Sequence, residues 1–291
     1  MASSSVPRGA VVVGVDGSSG GHRALLWAAD TASLQGRPLV LAHAVGRFDA
    51  LGPEVYGLDH AVVRRALEHE GAEVLRHARS EVAATWPGLE VHEELRSVDA
   101  RALLMDLSGS ASLLVVGTRG RGTLTGLLLG SVSLAVSQHA DCPVAVVRPH
   151  DRTLMRDGVL VGVDLAETDQ RALAVAAQQA ADRKLPLTVL NVVFDGLPPG
   201  PVPDDEAGHD ERRRALAELV DRLSGQFPDL EVRPALVRGL TEDALVNAAQ
   251  GKELAVVGVH PSRPLLDFFR RDIDRAMVER APCVVMTVPL R

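Results

Sequence analysis

The chain has 291 residues, 46% apolar but only 3% aromatic, and a formal charge of −7. That length exceeds one ordinary domain and suits two, and the apolar content argues against large-scale disorder. The acidic balance, with no basic stripe and few aromatics, argues against nucleic acid as a partner. No run approaches the roughly 20 apolar residues of a membrane span, and Met1 to Gly9 lacks the apolar stretch of a secretory signal. A cytoplasmic protein that does not engage a membrane is therefore expected.

From the N-terminus, apolar runs rich in Val and Leu near residues 10–15, 38–45, 89–95, 113–117 and 143–147 predict five strands. Runs apolar on both sides suit strands buried on both faces. Helical patterns separate them. Ser18 or Ser19 can cap a helix carrying Ala24, Leu25, Trp27, Ala28 and Ala32. A long helix near 60–85 and another near 99–109 follow, and a short one begins at Gly130-Ser131. Pro149 to Asp157 is polar and predicts a linker, and from about residue 157 the scheme starts again. The loop Gly196 to Pro203 is proline-rich, and Asp204-Asp205-Glu206 after it suits an acidic helix start. Cys142 and Cys283 each open a short apolar run, which predicts two buried thiols with no metal spacing around them.

The second half is a copy of the first. Val11-Val12-Val13-Gly14-Val15-Asp16 is echoed by Val159-Leu160-Val161-Gly162-Val163-Asp164. Pro38 to Val45 is echoed by Pro186 to Val193, Pro87 to Val91 by Pro228 to Val232, and Leu114 to Gly117 by Ala255 to Gly258. The matches keep their order. Strand–helix alternation in each copy predicts an α/β protein of two tandem open parallel-sheet domains, with helices on both faces. The boundaries expected are 1–150 and 157–291.

The stretch after the fourth strand carries the chemistry. Gly117-Thr118-Arg119-Gly120-Arg121-Gly122-Thr123 leaves a strand, and Gly130-Ser131-Val132-Ser133 enters a helix. Glycines let backbone amides approach an anion, and a helix N-terminus favours negative charge. Ser131 and Ser133 can add hydroxyl donors; Arg119 and Arg121 can screen charge. The Walker spacing is absent, and the dinucleotide fingerprint is unmatched. A connector without a ligand remains open on glycine content alone.

The spacing Gly117-x2-Gly120-x9-Gly130-Ser131 resembles the ATP-binding signature of the universal stress protein family. Gly14-Val15-Asp16, Leu41 to Val45 and Cys142 to Val147 agree with it, and the resemblance covers nearly the whole chain as a tandem pair. It implies five strands per half in the order 3-2-1-4-5, with a crevice at the switch point between strands one and four. Gly14, Val15 and Asp16 would then meet the glycine loop in one cleft. The resemblance places Asp16 at the nucleoside or a bound Mg2+, Ala44 near adenine, and the loop with Ser131 on the phosphates. A plain turn role for Asp16 stays open.

The second half keeps Gly162-Val163-Asp164 and Gly258, but Pro261 replaces the second glycine and Arg271-Asp272 stands where Gly-Ser would be. Proline removes a donor, and the other two bring bulk and a carboxylate. This half is expected not to bind ATP in the family manner, and Phe268 and Phe269 are expected to fill core rather than interface. His69, Glu73 and His77 share a helix face, which suits solvent better than a metal. No triad or carboxylate pair marks a catalytic site. The expected function is an ATP-binding stress-response regulator acting on an unidentified protein partner or as a homodimer or other homo-oligomer. A slow ATP hydrolase or phosphotransfer enzyme and a nucleotide-independent interaction module are the alternatives.

Overall fold

The computed structural model describes residues 6–46, 60–118, 129–149, 157–165, 170–195, 197–259 and 271–290. The chain divides into two compact units, Met1–Pro149 and His150–Arg291.

Unit one alternates β1 (Val11–Gly14), α1 (Ser19–Leu34), β2 (Leu39–Ala44), α2 (His60–Thr85), β3 (Val91–Arg96), α3 (Ala100–Ser108), β4 (Leu113–Gly117), α4 (Ser131–His139) and β5 (Val144–Val147). Its strands lie in the order β3-β2-β1-β4-β5, all parallel. Val11, Val12 and Val13 of the central strand are wholly buried, as are Leu39, Val40 and Leu41. Helices cover both faces, so consecutive residues are apolar without alternation. The edge strand β3 instead carries His92, Glu93, Glu94 and Arg96, charges that blunt an open edge.

Ser18, not Ser19, caps α1: its hydroxyl oxygen accepts from the Gly21 N–H at 3.0 Å. The helix buries Ala24, Leu25, Trp27, Ala28 and Ala32 against the sheet. Asp99 caps α3 in the same way, accepting from the Arg101 N–H at 2.9 Å.

Unit two alternates β6 (Val159–Val163), α5 (Gln170–Arg183), β7 (Leu187–Val193), β8 (Gly200–Pro201), α6 (Asp210–Gln226), β9 (Val232–Arg238), α7 (Thr241–Ala248), β10 (Leu254–Val259), α8 (Arg271–Arg280) and β11 (Val284–Pro289). Its order is β8-β9-β7-β6-β10-β11. Five parallel strands thus repeat the order of unit one, and the expected count of five is corrected to six. The addition is the two-residue β8, antiparallel to β9 through Gly200↔Arg238 and Pro201↔Val237. The proline-rich loop supplies it. Proline has no ladder donor, so it is tolerated on an edge.

A second difference concerns the acidic triplet 204–206. The helix starts at Asp210, and Asp210 and Glu211 fill its acidic first turn. Glu206 is held elsewhere: its carboxylate accepts from Arg238, and its carbonyl accepts from Arg213 at 3.0 Å. Cys142 and Cys283 are buried free thiols. Among the described residues no helix is long and apolar enough to cross a membrane.

Candidate functional site

In unit one, β1 and β4 are neighbours whose following helices leave on different sides of the sheet order, so their carboxyl ends open a crevice. A cavity of about 300 Å³ lies there. Gly14, Val15 and Asp16 line it from the end of β1, Ala44 from β2, Gly117 from β4, and Gly130, Ser131, Val132 and Ser133 from the start of α4. Residues 117 positions apart in the chain are thus brought to one place. Arg119, Gly120, Arg121, Gly122 and Thr123 lie outside the described residues.

Part of the lining is apolar: Ala42 and Ala44 of β2, which are small, and Ala100, Leu103 and Leu104 of α3.

Another part of the lining is polar. Gly130 is the N-cap of α4, with φ −78° and ψ 152°, and offers no capping side chain. The Gly130 N–H donates to the Thr118 carbonyl at 2.7 Å. The N–H groups of Ser131, Val132 and Ser133 occupy the first turn, where a helix supplies no internal acceptor. They carry the positive end of the helix dipole into the cavity.

Two expected hydroxyl donors differ in placement. Ser131 is exposed at the mouth. Ser133 is only 2% exposed, and its hydroxyl is within bonding distance of the Gly130 carbonyl at 3.0 Å and the Thr118 carbonyl at 3.3 Å. It ties α4 to the end of β4. Thr118 is also buried, its N–H donating to the Val147 carbonyl at 3.2 Å, and it does not line the cavity.

Asp16 both shapes the turn and lines the cavity. Its Oδ1 accepts from the Ser18 N–H at 3.0 Å and the Ser18 hydroxyl at 2.6 Å. Gly117 has a packing role: an added Cβ would stand 2.5 Å from the Gly20 carbonyl carbon and oxygen. The strand end touches the first turn of α1 so closely that no side chain fits between them.

His43 was not singled out by residue-type reasoning, yet it lines the cavity. Its Nδ1 lies 2.6 Å from the Val15 carbonyl. A carbonyl only accepts, so that nitrogen carries the hydrogen. The repeat held a signal for it: His43 aligns with Asn191, whose Nδ2 donates to the Val163 carbonyl at 2.8 Å.

In unit two, β6 runs through Gly162 to Val163, whereas β1 ends at Gly14 with Val15 following it, and Asp164 is exposed just beyond β6. Pro261, Leu265, Leu266, Phe268 and Phe269 lie outside the described residues; Arg271 and Asp272 open α8.

The family model described as the universal stress protein family matches this chain twice, over residues 8–148 and 155–289. The chain belongs to the universal stress protein family. A universal stress protein of Mycolicibacterium smegmatis is 32% identical over 289 residues, spanning 96% of each chain. A universal stress protein of Mycobacterium tuberculosis is 33% identical over 255 residues, spanning 85% of each. Among solved structures, a universal stress protein from Archaeoglobus fulgidus has a TM-score of 0.70 at 17% identity, covering 97% of this chain and 98% of that one. That likeness shows a shared fold, tandem universal stress protein domains built on mostly parallel sheets.

Proposed function

We propose that unit one binds ATP and that the protein works as a nucleotide-dependent stress-response regulator. The observation that carries this reading is convergence. The β1 end at Gly14 to Asp16, the small β2 residues and the open N-terminus of α4 line one cavity. They do so in a chain spaced Gly117-x2-Gly120-x9-Gly130-Ser131.

The chemistry of the lining fits such a ligand. The apolar part of the lining, with Ala44 and Leu104, suits adenine, and the first-turn N–H groups of α4 suit phosphate. The Ser131 hydroxyl, exposed at the mouth, adds a donor there. Asp16 offers its carboxylate to the nucleoside or to a phosphate-bound Mg2+, while Oδ1 keeps the turn in shape. Binding rather than turnover is the proposed output, with the loaded and empty forms differing at the α4 end where a partner reads them.

Calorimetry with ATP tests the assignment. Wild type should bind, and Gly130→Arg, which copies the second half, should weaken binding at least about tenfold, or roughly 1.4 kcal/mol. Unchanged affinity in Gly130→Arg would refute the phosphate end of the site. Nucleotide released by heating the purified protein should be adenine-based.

A further inference from the structure

We propose that His43 is a positioning residue. It takes the Val15 carbonyl out of the β1–β2 ladder, and this leaves the backbone N–H of Ala44 open to a ligand. The inference rests on the reading of the cavity as a nucleotide site and assigns a role within it.

The ladder itself shows the effect. In a parallel pair, donors alternate between the two neighbouring strands. Val11 donates to the Pro38 carbonyl and Val15 to the Ala42 carbonyl, both at 2.9 Å. The next donor toward β1 is the Ala44 N–H, and its acceptor in a continued ladder is the Val15 carbonyl. The register stops short of that bond, at Gly14↔Ala42. The Val45 N–H, pointing the other way, donates to the Arg96 carbonyl at 3.1 Å, so the strand itself has not frayed there. The Val15 carbonyl accepts from the His43 imidazole instead. Ala44 lines the cavity, so the released donor sits at the base end.

Unit two is the internal control. Its ladder runs one pair further, to Val163↔Asn191. By the same alternation the Val192 N–H is spent on the Val163 carbonyl. Asn191 bonds that carbonyl as well, but adds to the ladder rather than ending it. The packing behind each side chain differs. Behind His43 stands Gly71 of α2, where a Cβ would come within 2.9 Å of the imidazole Cδ2 and 2.8 Å of Leu95 and Val45. The aligned position in α6 is Arg212, whose Nη1 donates to Asn191 Oδ1 at 3.1 Å. A bulky ring seated under a glycine moves the carbonyl's partner; an amide held from both sides does not.

Amide hydrogen exchange on the intact protein tests the ladder directly. In wild type without nucleotide, the Ala44 amide should exchange far faster than the Ala42 amide, and in His43→Leu it should become protected as the ladder closes. A protected Ala44 amide in wild type overturns the assignment.

Calorimetry tests the consequence. His43→Leu should lose about tenfold in ATP affinity, the worth of one good hydrogen bond. Its affinity for inorganic triphosphate, which uses only the α4 end, should hold. His43→Asn should also lose ATP affinity if it restores the ladder as in unit two, and should fold even if the leucine variant does not. Equal loss of both ligands in either variant marks a merely structural residue and overturns the proposal. A wild type that binds triphosphate but not ATP instead overturns the nucleotide reading beneath it.

Discussion

Gly117 and Gly130 share a motif and answer to different constraints. At Gly117 the neighbour is rigid, since the Gly20 backbone would meet an added Cβ at 2.5 Å. Gly117→Ala should therefore cost about 1–3 kcal/mol of stability, as overpacking does, read as a lower urea midpoint. A midpoint unchanged within error would show that β4 and α1 yield freely. Gly130 has φ −78°, which any residue adopts, so its small size matters for what approaches it rather than for its backbone. Ser18→Ala removes the α1 cap together with the hydroxyl that donates to Asp16 Oδ1, and leaves the Ser18 N–H donor in place. It should destabilise by about 1 kcal/mol, in the same assay, and disturb the turn that presents Asp16.

Among the elements, the segment that leads from β7 through β8 to α6 has its own fastening. Arg238 of β9 meets the carboxylate of Glu206 and lies 3.5 Å from that of Asp195. Glu206 in turn is 3.3 Å from His209. The Arg238 hydrogen bond, with a smaller contribution from His209, holds the Glu206 carboxyl below its ordinary value. A carboxyl depressed on folding stabilises at pH above its unfolded value and loses that contribution as pH falls through its folded value. Acidification from neutral pH toward pH 3 should thus cost wild type more stability than Arg238→Gln. Urea midpoints across that range decide it, and parallel losses in the two proteins would refute the link. The segment's acidic triplet resembles a helix start in sequence because charge at a first turn is common. An arginine about thirty residues downstream, brought alongside by the sheet, claims Glu206 instead.

At the scale of the whole molecule, duplication has left one crevice open to a ligand and altered the other. In unit two the β6–β7 ladder extends to Val163↔Asn191, and Arg212 stands where unit one has Gly71. Leu245 also presses closer: a Cβ on Gly162 would come within 2.8 Å of it, against 3.4 Å for Gly14 and Leu104. Native mass spectrometry with ATP should therefore show one nucleotide per chain. Two held with similar strength would overturn the asymmetry. Pro261 and Arg271-Asp272 point the same way from sequence.

The duplication, the parallel α/β architecture and the family were legible in the residues alone. Buried strands need unbroken apolar runs and helices need their own period, and both are local patterns that survive copying. The places of Gly14 to Asp16 at a strand end and of Gly130 to Ser133 at a helix start followed, because strand ends and helix starts can be located the same way. The roles of particular groups were not legible, because they depend on which distant residue packs alongside. Gly117 answers to Gly20 and Ser133 turns to Thr118. His43 bonds a carbonyl 28 positions earlier. Such pairings are set by angstrom-scale distances between elements, which no periodicity of one strand or helix encodes.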